Sequence, residues 1–472
     1  GNNNVAVGRQ AFRLNTTGAS NVAIGVEASK ANTTGAANVS VGKEAMLANT
    51  TGGSNVAIGQ DTMKANTTAS NNTAVGQNSL SANTTGANNV AVGKSALDSN
   101  TTGEGNVAIG MQSLDANVSG YGNTAMGKQS LCKNTANDNT AVGGAALCLN
   151  TSGANNTAVG KTALNANTTA ASNTAVGCGS LLTNTTGAEN TAIGANSLDA
   201  NTTGAENAAV GNDALGANTT GSSNTAVGTK ALFTATTAGT NTAVGNQAMR
   251  LTTTGANNVA VGQKSLYANT TGATNVAVGT EALLCNTTGG DNVSIGIQAG
   301  DGVTTGCKNI LLGSYTARSV TTGSNILAVG WNSGSDAMIN FSATAANTIA
   351  LGNNSMTGSI IKVDWTVTSD LRDKTNVENV PHGLNFINQI TPIKYDFKKS
   401  REDATPHGFT KYGFSAQEIL ALEGENPVII NNQDTDALKM TNSHLIPVLV
   451  NAIKELKAQN DSLKSRIETL EG

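Results

Sequence analysis

A five-residue phrase, N-[TV]-A-[VI]-G, returns along this chain at a fixed step. Its glycine recurs twenty times from Gly8 to Gly330, every 17 residues, with a single 16-residue step between Gly127 and Gly143. So strict a period means that each repeat is one structural unit that buries its apolar face only by stacking on its neighbours. Helical arrays use periods of about 34 residues or more, and the abundance of Asn, Thr and Gly opposes helix. The repeat therefore predicts a β-solenoid with one coil per 17 residues. Stacked at about 4.8 Å per coil, twenty coils make a rod on the order of 95 Å long.

Each unit has an internal order. In Asn224-Thr225-Ala226-Val227-Gly228, strand alternation puts Thr225 and Val227 on one face and Ala226 on the other. Four residues past each glycine stands a large apolar side chain, from Phe12 through Leu80, Leu97 and Leu114 to Leu283, with Ser29 as the exception. A turn segment such as Asn83-Thr84-Thr85-Gly86 follows, where Asn and Gly tolerate positive φ. The expectation is that the Val/Ile and Leu rows form a thin core, that the Asn and Thr rows form hydrogen-bonded ladders, and that Ala faces outward as a second packing surface. The Asn-Thr-Thr loops read as turn chemistry rather than ligand contacts, and no glycosylation is assigned to their N-x-T triplets.

The repeat pentad resembles the head repeats of trimeric autotransporter adhesins, whose unit is usually shorter. That resemblance implies a trimer of parallel β-rolls. It leaves open whether each coil holds two strands or a strand plus a helical turn.

Composition changes near residue 368. All five prolines and all three histidines lie beyond residue 380, and 27 of the 58 charged residues fall within 369–472. The expected organisation is a shaft over 1–330, an irregular tip or neck over 331–368 that ends in a strand at 360–367, and a separate domain over 369–472. Trp331, Phe341 and Trp365 stand out in a chain with 3% aromatics. Terminal coils need caps, so these residues read as caps, or else as a receptor-binding tip. Gly1 already lies inside a repeat, and an anchor or virion-attachment module upstream of it is expected.

The five cysteines, Cys132, Cys148, Cys178, Cys285 and Cys307, form no C-x-x-C motif and are odd in number. Cys132 and Cys148 each follow the stacked Leu on adjacent coils, but free, packed thiols are the expectation, together with assembly at a reducing site. Neither metal nor cofactor is called for. A net charge of -4 gives no case for nucleic acid. No run of 18 apolar residues is present for membrane insertion.

The segment Ser369-Asp370-Leu371-Arg372-Asp373-Lys374-Thr375-Asn376 opens the last domain. It is followed by Thr391-Pro392-Ile393-Lys394-Tyr395-Asp396-Phe397, by Tyr412-Gly413-Phe414-Ser415-Ala416-Gln417-Glu418 and by Leu445-Ile446-Pro447-Val448-Leu449-Val450-Asn451-Ala452-Ile453-Lys454-Glu455-Leu456. In this order the blocks resemble the self-cleaving intramolecular chaperone of endosialidase-type phage tailspikes and fibres. The resemblance implies that Ser369 and Lys374 form a nucleophile–base dyad cutting the Thr368–Ser369 bond, with Asp370 and Arg372 as motif residues of undefined role. Read from the residues alone, Ser369 also fits a helix N-cap assisted by Asp370, with Lys374 in solvent. At the end of the chain, Ile446, Leu449, Ile453, Leu456, Asn460, Leu463, Ile467 and Leu470 alternate three and four apart as a coiled-coil seam over about 443–470. The seam alone does not separate dimer from trimer; both resemblances imply three chains.

Together these readings describe a mainly β chain: a trimeric parallel β-solenoid of 17-residue repeats, then a small α+β chaperone domain ending in a coiled-coil helix. The expected role is a virion tail fibre or tailspike shaft that attaches to a host-surface receptor, glycan or protein. An extracellular or cell-surface adhesin or filament protein is the alternative. The one activity expected is single-turnover self-cleavage. A glycan-degrading enzyme is disfavoured, because no insertion in the first 330 residues could hold a catalytic domain.

Overall fold

In the computed structural model, the described residues are all those outside 337–339, 354, 357–367, 399–400, 433–434 and 437. Trp365 and the expected strand over 360–367 lie outside them. The described chain divides into two compact units, 1–335 with 340–351, and 352–472 with 336–339.

The first unit is a parallel β-solenoid. Twenty-one short strands, from Val5–Val7 to Thr348–Leu351, form one parallel sheet. Successive strands pair in register at the 17-residue step, as in Thr174↔Thr191, Ala175↔Ala192 and Val176↔Ile193. The last pairing, Ile326↔Thr348, spans a 22-residue coil.

Each coil contains one short strand, of three residues except for four in the last two; the remainder is a stacked turn segment. Positive φ falls at the pentad glycine (Gly177, 141°) and at the second and fourth residues beyond it (Gly179, 67°; Leu181, 49°). The glycine of Asn-Thr-Thr-Gly is not among the residues with positive φ, contrary to the turn argument above. A leucine in the left-handed region is disfavoured by its Cβ. Here the neighbouring coils hold it: the Leu181 amide donates to the Ser197 carbonyl at 3.0 Å, and the buried Leu side chain fills the coil.

The expected faces are reversed. The central Ala of the strand points inward and is fully buried, as at Ala158, Ala175 and Ala192, while Val159, Val176 and Ile193 are 36–42% exposed. The lumen explains this. One coil already packs Asn173, Ser180, Leu181 and Asn184 inside, all fully buried. At close-packed density the strand has space for a methyl group and no more. Departures from the pattern compensate across the lumen. Gly300 stands in the Leu row, and Leu311 in the Ala row fills the space beside it. Ser29, the exception in the Leu row, meets Ser40 in the Ala row at 2.8 Å between hydroxyls.

Two buried asparagine ladders run the length of the shaft. Asn190 takes one column: its backbone amide donates to Asn173 Oδ1 at 2.9 Å, and its Nδ2 donates to the Gly204 carbonyl at 2.9 Å. In the other, Asn184 Nδ2 donates to Asn167 Oδ1 at 3.1 Å and to the Gly187 carbonyl at 2.9 Å. Breaks in the second column follow from the sequence. Among the described residues, Asn218 Oδ1 and Asn286 Oδ1 are buried without a donor, because Ala235 and Val303 stand where the next Asn belongs. Ala235→Asn restores that donor, and the Asn66–Ala69 pair shows the same loop accepting Asn beside Ala, at 3.1 Å. A buried acceptor regaining its bond is worth about 1 kcal/mol. The variant is expected to unfold at higher denaturant concentration with an unchanged slope, and a lower midpoint would refute the ladder account.

Asn117 Oδ1 is orphaned for another reason: the next coil is the short, 16-residue one, and Asn134 Nδ2 turns to the Ala136 carbonyl instead, at 2.8 Å. Beside this break, Cys132 and Cys148 are joined as a disulfide, with Cα atoms 4.9 Å apart. This corrects the expectation of free thiols for that pair. Stacking equivalent positions of adjacent coils brings the two Cα atoms within disulfide reach. Cys178, Cys285 and Cys307 are free.

The second unit is a small α+β region. Helix α1 (Leu384–Ile387) precedes an antiparallel hairpin of Ile393–Lys398 with Pro406–Gly413. Helix α2 (Ala416–Glu423) and the short pair Ile430–Asn431 with Lys439–Met440 follow, and α3 (Leu445–Glu471) ends the chain with 27 residues. Phe386, Ile390, Ile419, Ile429, Ile430, Leu445 and Val448 form its core. The Glu423 carboxylate accepts the amides of Val428, Ile429 and Ile430 at 2.7–3.0 Å, tying α2 to the strand that follows.

Candidate functional site

The segment after Thr368 turns back on itself. Residues Leu371–Asp373 form one 3-10 turn, capped by Asp370, whose carboxylate accepts the Arg372 amide at 2.9 Å. The Lys374 amide closes the turn on the Leu371 carbonyl at 3.1 Å. The turn returns Lys374 to Ser369, and Lys374 Nζ lies 2.8 Å from Ser369 Oγ. Asp370, not Ser369, is thus the cap, and the serine hydroxyl is left to the lysine.

Asp370 also holds the Arg372 guanidinium, with Nε 3.1 Å from both carboxylate oxygens. That guanidinium, and then the Arg372 amide, hold the Asp370 carboxyl below the usual carboxylate range. The pair makes the turn a closed local unit.

Chemically, a hydroxyl within hydrogen-bond reach of an amine is a nucleophile with a base at hand. The carbonyl nearest to Ser369 in sequence is that of Thr368. Thr368, Ser369 and Lys374 are all exposed, as are Leu371 (66%) and Val377 (65%) nearby.

The coiled-coil residues fall on one face of α3. Leu445, Val448 and Ala452 pack inward, whereas Ile446, Leu449, Ile453, Leu456, Leu463, Ile467 and Leu470 are 43–83% exposed, and Asn460 is exposed among them. Of the tip residues, Phe341 is buried beside Gly334, which occupies the Leu row, and so fills the last lumen as a cap. Trp331 is 58% exposed, edge-on to Tyr315 at 6.5 Å. Sequence reasoning passed over Tyr315 and the Arg318–Asp301 pair beside it; earlier coils carry comparable pairs, Arg250 with Tyr267 and Lys230 with Asp213. No helix among the described residues is long and apolar enough to cross a membrane.

The sequence model of a family described as chaperone of endosialidase matches residues 369–426. The match opens at the serine that Lys374 contacts. No curated protein matches the chain.

Proposed function

We propose that the chain is a homotrimeric fibre shaft for attachment to a host surface, folded and aligned by its C-terminal chaperone, which then releases itself by cutting before Ser369. The observation that carries this reading is the chaperone-family match opening at Ser369, the residue held by Lys374.

The shaft needs such a device. Its coils are so alike that sliding one chain past another by one coil loses little energy. Exposed strand edges in the folding chain invite aggregation. A domain that joins three chains through the seam of α3 sets the register before the coils stack. The outward strand face gives the shafts a surface on which to meet: the first and third strand positions from Val5 to Val329 carry no charged residue.

In the cleavage step, Lys374 Nζ takes the Ser369 hydroxyl proton as Oγ attacks the Thr368 carbonyl carbon. The peptide C–N bond breaks, the proton passes to the departing Ser369 amine, and water hydrolyses the resulting ester. A lysine serves as general base once it is dried. The dyad is exposed in a single chain, so assembly precedes the cut, and the cut makes assembly irreversible.

Sedimentation of the whole chain and of a chain ending at Thr368 tests this. The whole chain is expected to give trimers, and the shortened one monomers or aggregates. Trimers from both would remove the chaperone from the account.

A further inference from the structure

The short coil between Gly127 and Gly143 lacks one residue in the loop after Asn134. There Asn134 and Asn139 stand five apart, where Asn117 and Asn123, or Asn150 and Asn156, stand six apart. The junction with the preceding coil loses bonds as a result. At a regular junction two amides converge on one carbonyl, as those of Thr101 and Thr102 do on Val118 at 2.8 and 3.2 Å. Among the described residues, the Val118 and Ser119 amides make no such bonds to the short coil. Asn117 Oδ1 is orphaned at the same junction, although the first asparagine column crosses it unbroken, with the Asn139 amide 3.0 Å from Asn123 Oδ1. A coil with fewer bonds to its neighbour is where a stack of otherwise equal coils opens first.

The other junction of the short coil carries a covalent bond. The position five past each pentad glycine forms a column along the turn segments, in which side chains of adjacent coils meet. Ser81 bonds Asp98, Arg250 Nη1 donates to Tyr267 Oη at 3.1 Å, and Arg318 pairs with Asp301. Cys132 and Cys148 hold this position on the short coil and the coil after it, joined as a disulfide and both partly exposed. The free cysteines, Cys178, Cys285 and Cys307, have no thiol at the equivalent position of a neighbouring coil. The shaft thus places its one cysteine pair on its one irregular step.

We infer that Cys132 and Cys148 are a redox-operated staple. As a disulfide the pair holds the short coil closed on the coil that follows; as two thiols it lets the short coil open locally. The oxidant is a low-molecular-weight disulfide such as oxidised glutathione. One cysteine thiolate attacks a sulfur of that molecule and expels a small thiolate. The second cysteine thiolate then attacks the sulfur now bonded to the first cysteine and expels the other. The two protons given up by the cysteines go to the two expelled thiolates, so two protein thiols and one small disulfide become one protein disulfide and two small thiols. An excess of small thiol runs the exchange backwards, and the partial exposure of both cysteines gives either reagent access. The inference stands apart from the fibre reading, since all its atoms lie in adjacent coils of one chain.

The test is amide hydrogen exchange read by mass spectrometry on the whole chain, after treatment with oxidised glutathione or with dithiothreitol. Peptide mapping of the oxidised sample is expected to find Cys132 linked to Cys148. Reduction is expected to speed exchange over residues 128–148 by about 100-fold, the scale set by releasing a closed loop of this length. The regular coil over residues 262–279 serves as the internal control and should keep its rate. Reoxidation should restore the slow exchange. The double variant Cys132→Ser, Cys148→Ser should exchange at the reduced rate under both treatments, and the reduced wild type reads the same loss should that variant fail to fold. Absence of the linked peptide, exchange that ignores the redox treatment, or an equal change over residues 262–279 would overturn the inference.

Discussion

Ser369→Ala is expected to leave one intact chain of 47.3 kDa on denaturing electrophoresis, and the wild type to give fragments 1–368 and 369–472. Removing the hydroxyl removes the atom that attacks, and no second nucleophile stands at that position. Lys374→Met, which keeps the length of the side chain and loses its amine, should slow cleavage on the order of 10³-fold, the usual contribution of a positioned general base. Asp370→Asn acts differently. It keeps an acceptor for the Arg372 amide and loses the ion pair, so the turn loosens while the dyad remains; the expected result is slower cleavage that still runs to completion. Intact mass identifies the cut bond. Full cleavage of Ser369→Ala would end the dyad chemistry, and an uncut wild type that still forms trimers would leave the chaperone standing without a protease.

The period, the solenoid and the parallel register were legible in the sequence because stacking forces equivalent residues together. A row of Leu at 17-residue spacing can only be a column. Which side of the strand faces the lumen was not legible from hydrophobicity, which favours Val and Ile inside. The deciding quantity is the volume already taken by Leu and two Asn columns, and that exists only once the coil is closed. Left-handed leucines such as Leu181 were hidden for a related reason: local propensity argues against them, and hydrogen bonds from the adjacent coils override it. Ser369 and Lys374 were named from a resemblance. Their meeting at 2.8 Å comes from the turn at Leu371–Asp373, which has no strong local signature beyond the capping Asp370. The Cys132–Cys148 pair was within reach of the sequence, since the two stand at equivalent positions of adjacent coils, each one residue past the stacked Leu.

Val159→Lys, Val176→Lys and Ile193→Lys together place three charges on adjacent coils of the outward strand face, and the combined variant is expected to sediment as monomer. These side chains are 36–42% exposed in the single chain, so each coil should still close, and far-ultraviolet circular dichroism should keep its wild-type shape. Burying roughly 30 Å² more of each outward side chain at about 25 cal/mol/Å² contributes below 1 kcal/mol per residue. Summed over twenty coils this reaches on the order of 15 kcal/mol, comparable with the cost of association. The balance is therefore fine, and a few desolvated ammonium groups tip it. The control is Thr169→Lys, Thr186→Lys and Thr203→Lys, three exposed residues of the Asn-Thr-Thr loops on the same coils, which should leave the trimer intact. Dissociation in both sets, or in neither, would move the shaft interface off the strand face. The same arithmetic bears on the chaperone. On the proposed trimer reading, a slip of one coil forfeits only about one twentieth of this energy, too little to hold three chains in register, which is the reason for assigning alignment to the seam of α3.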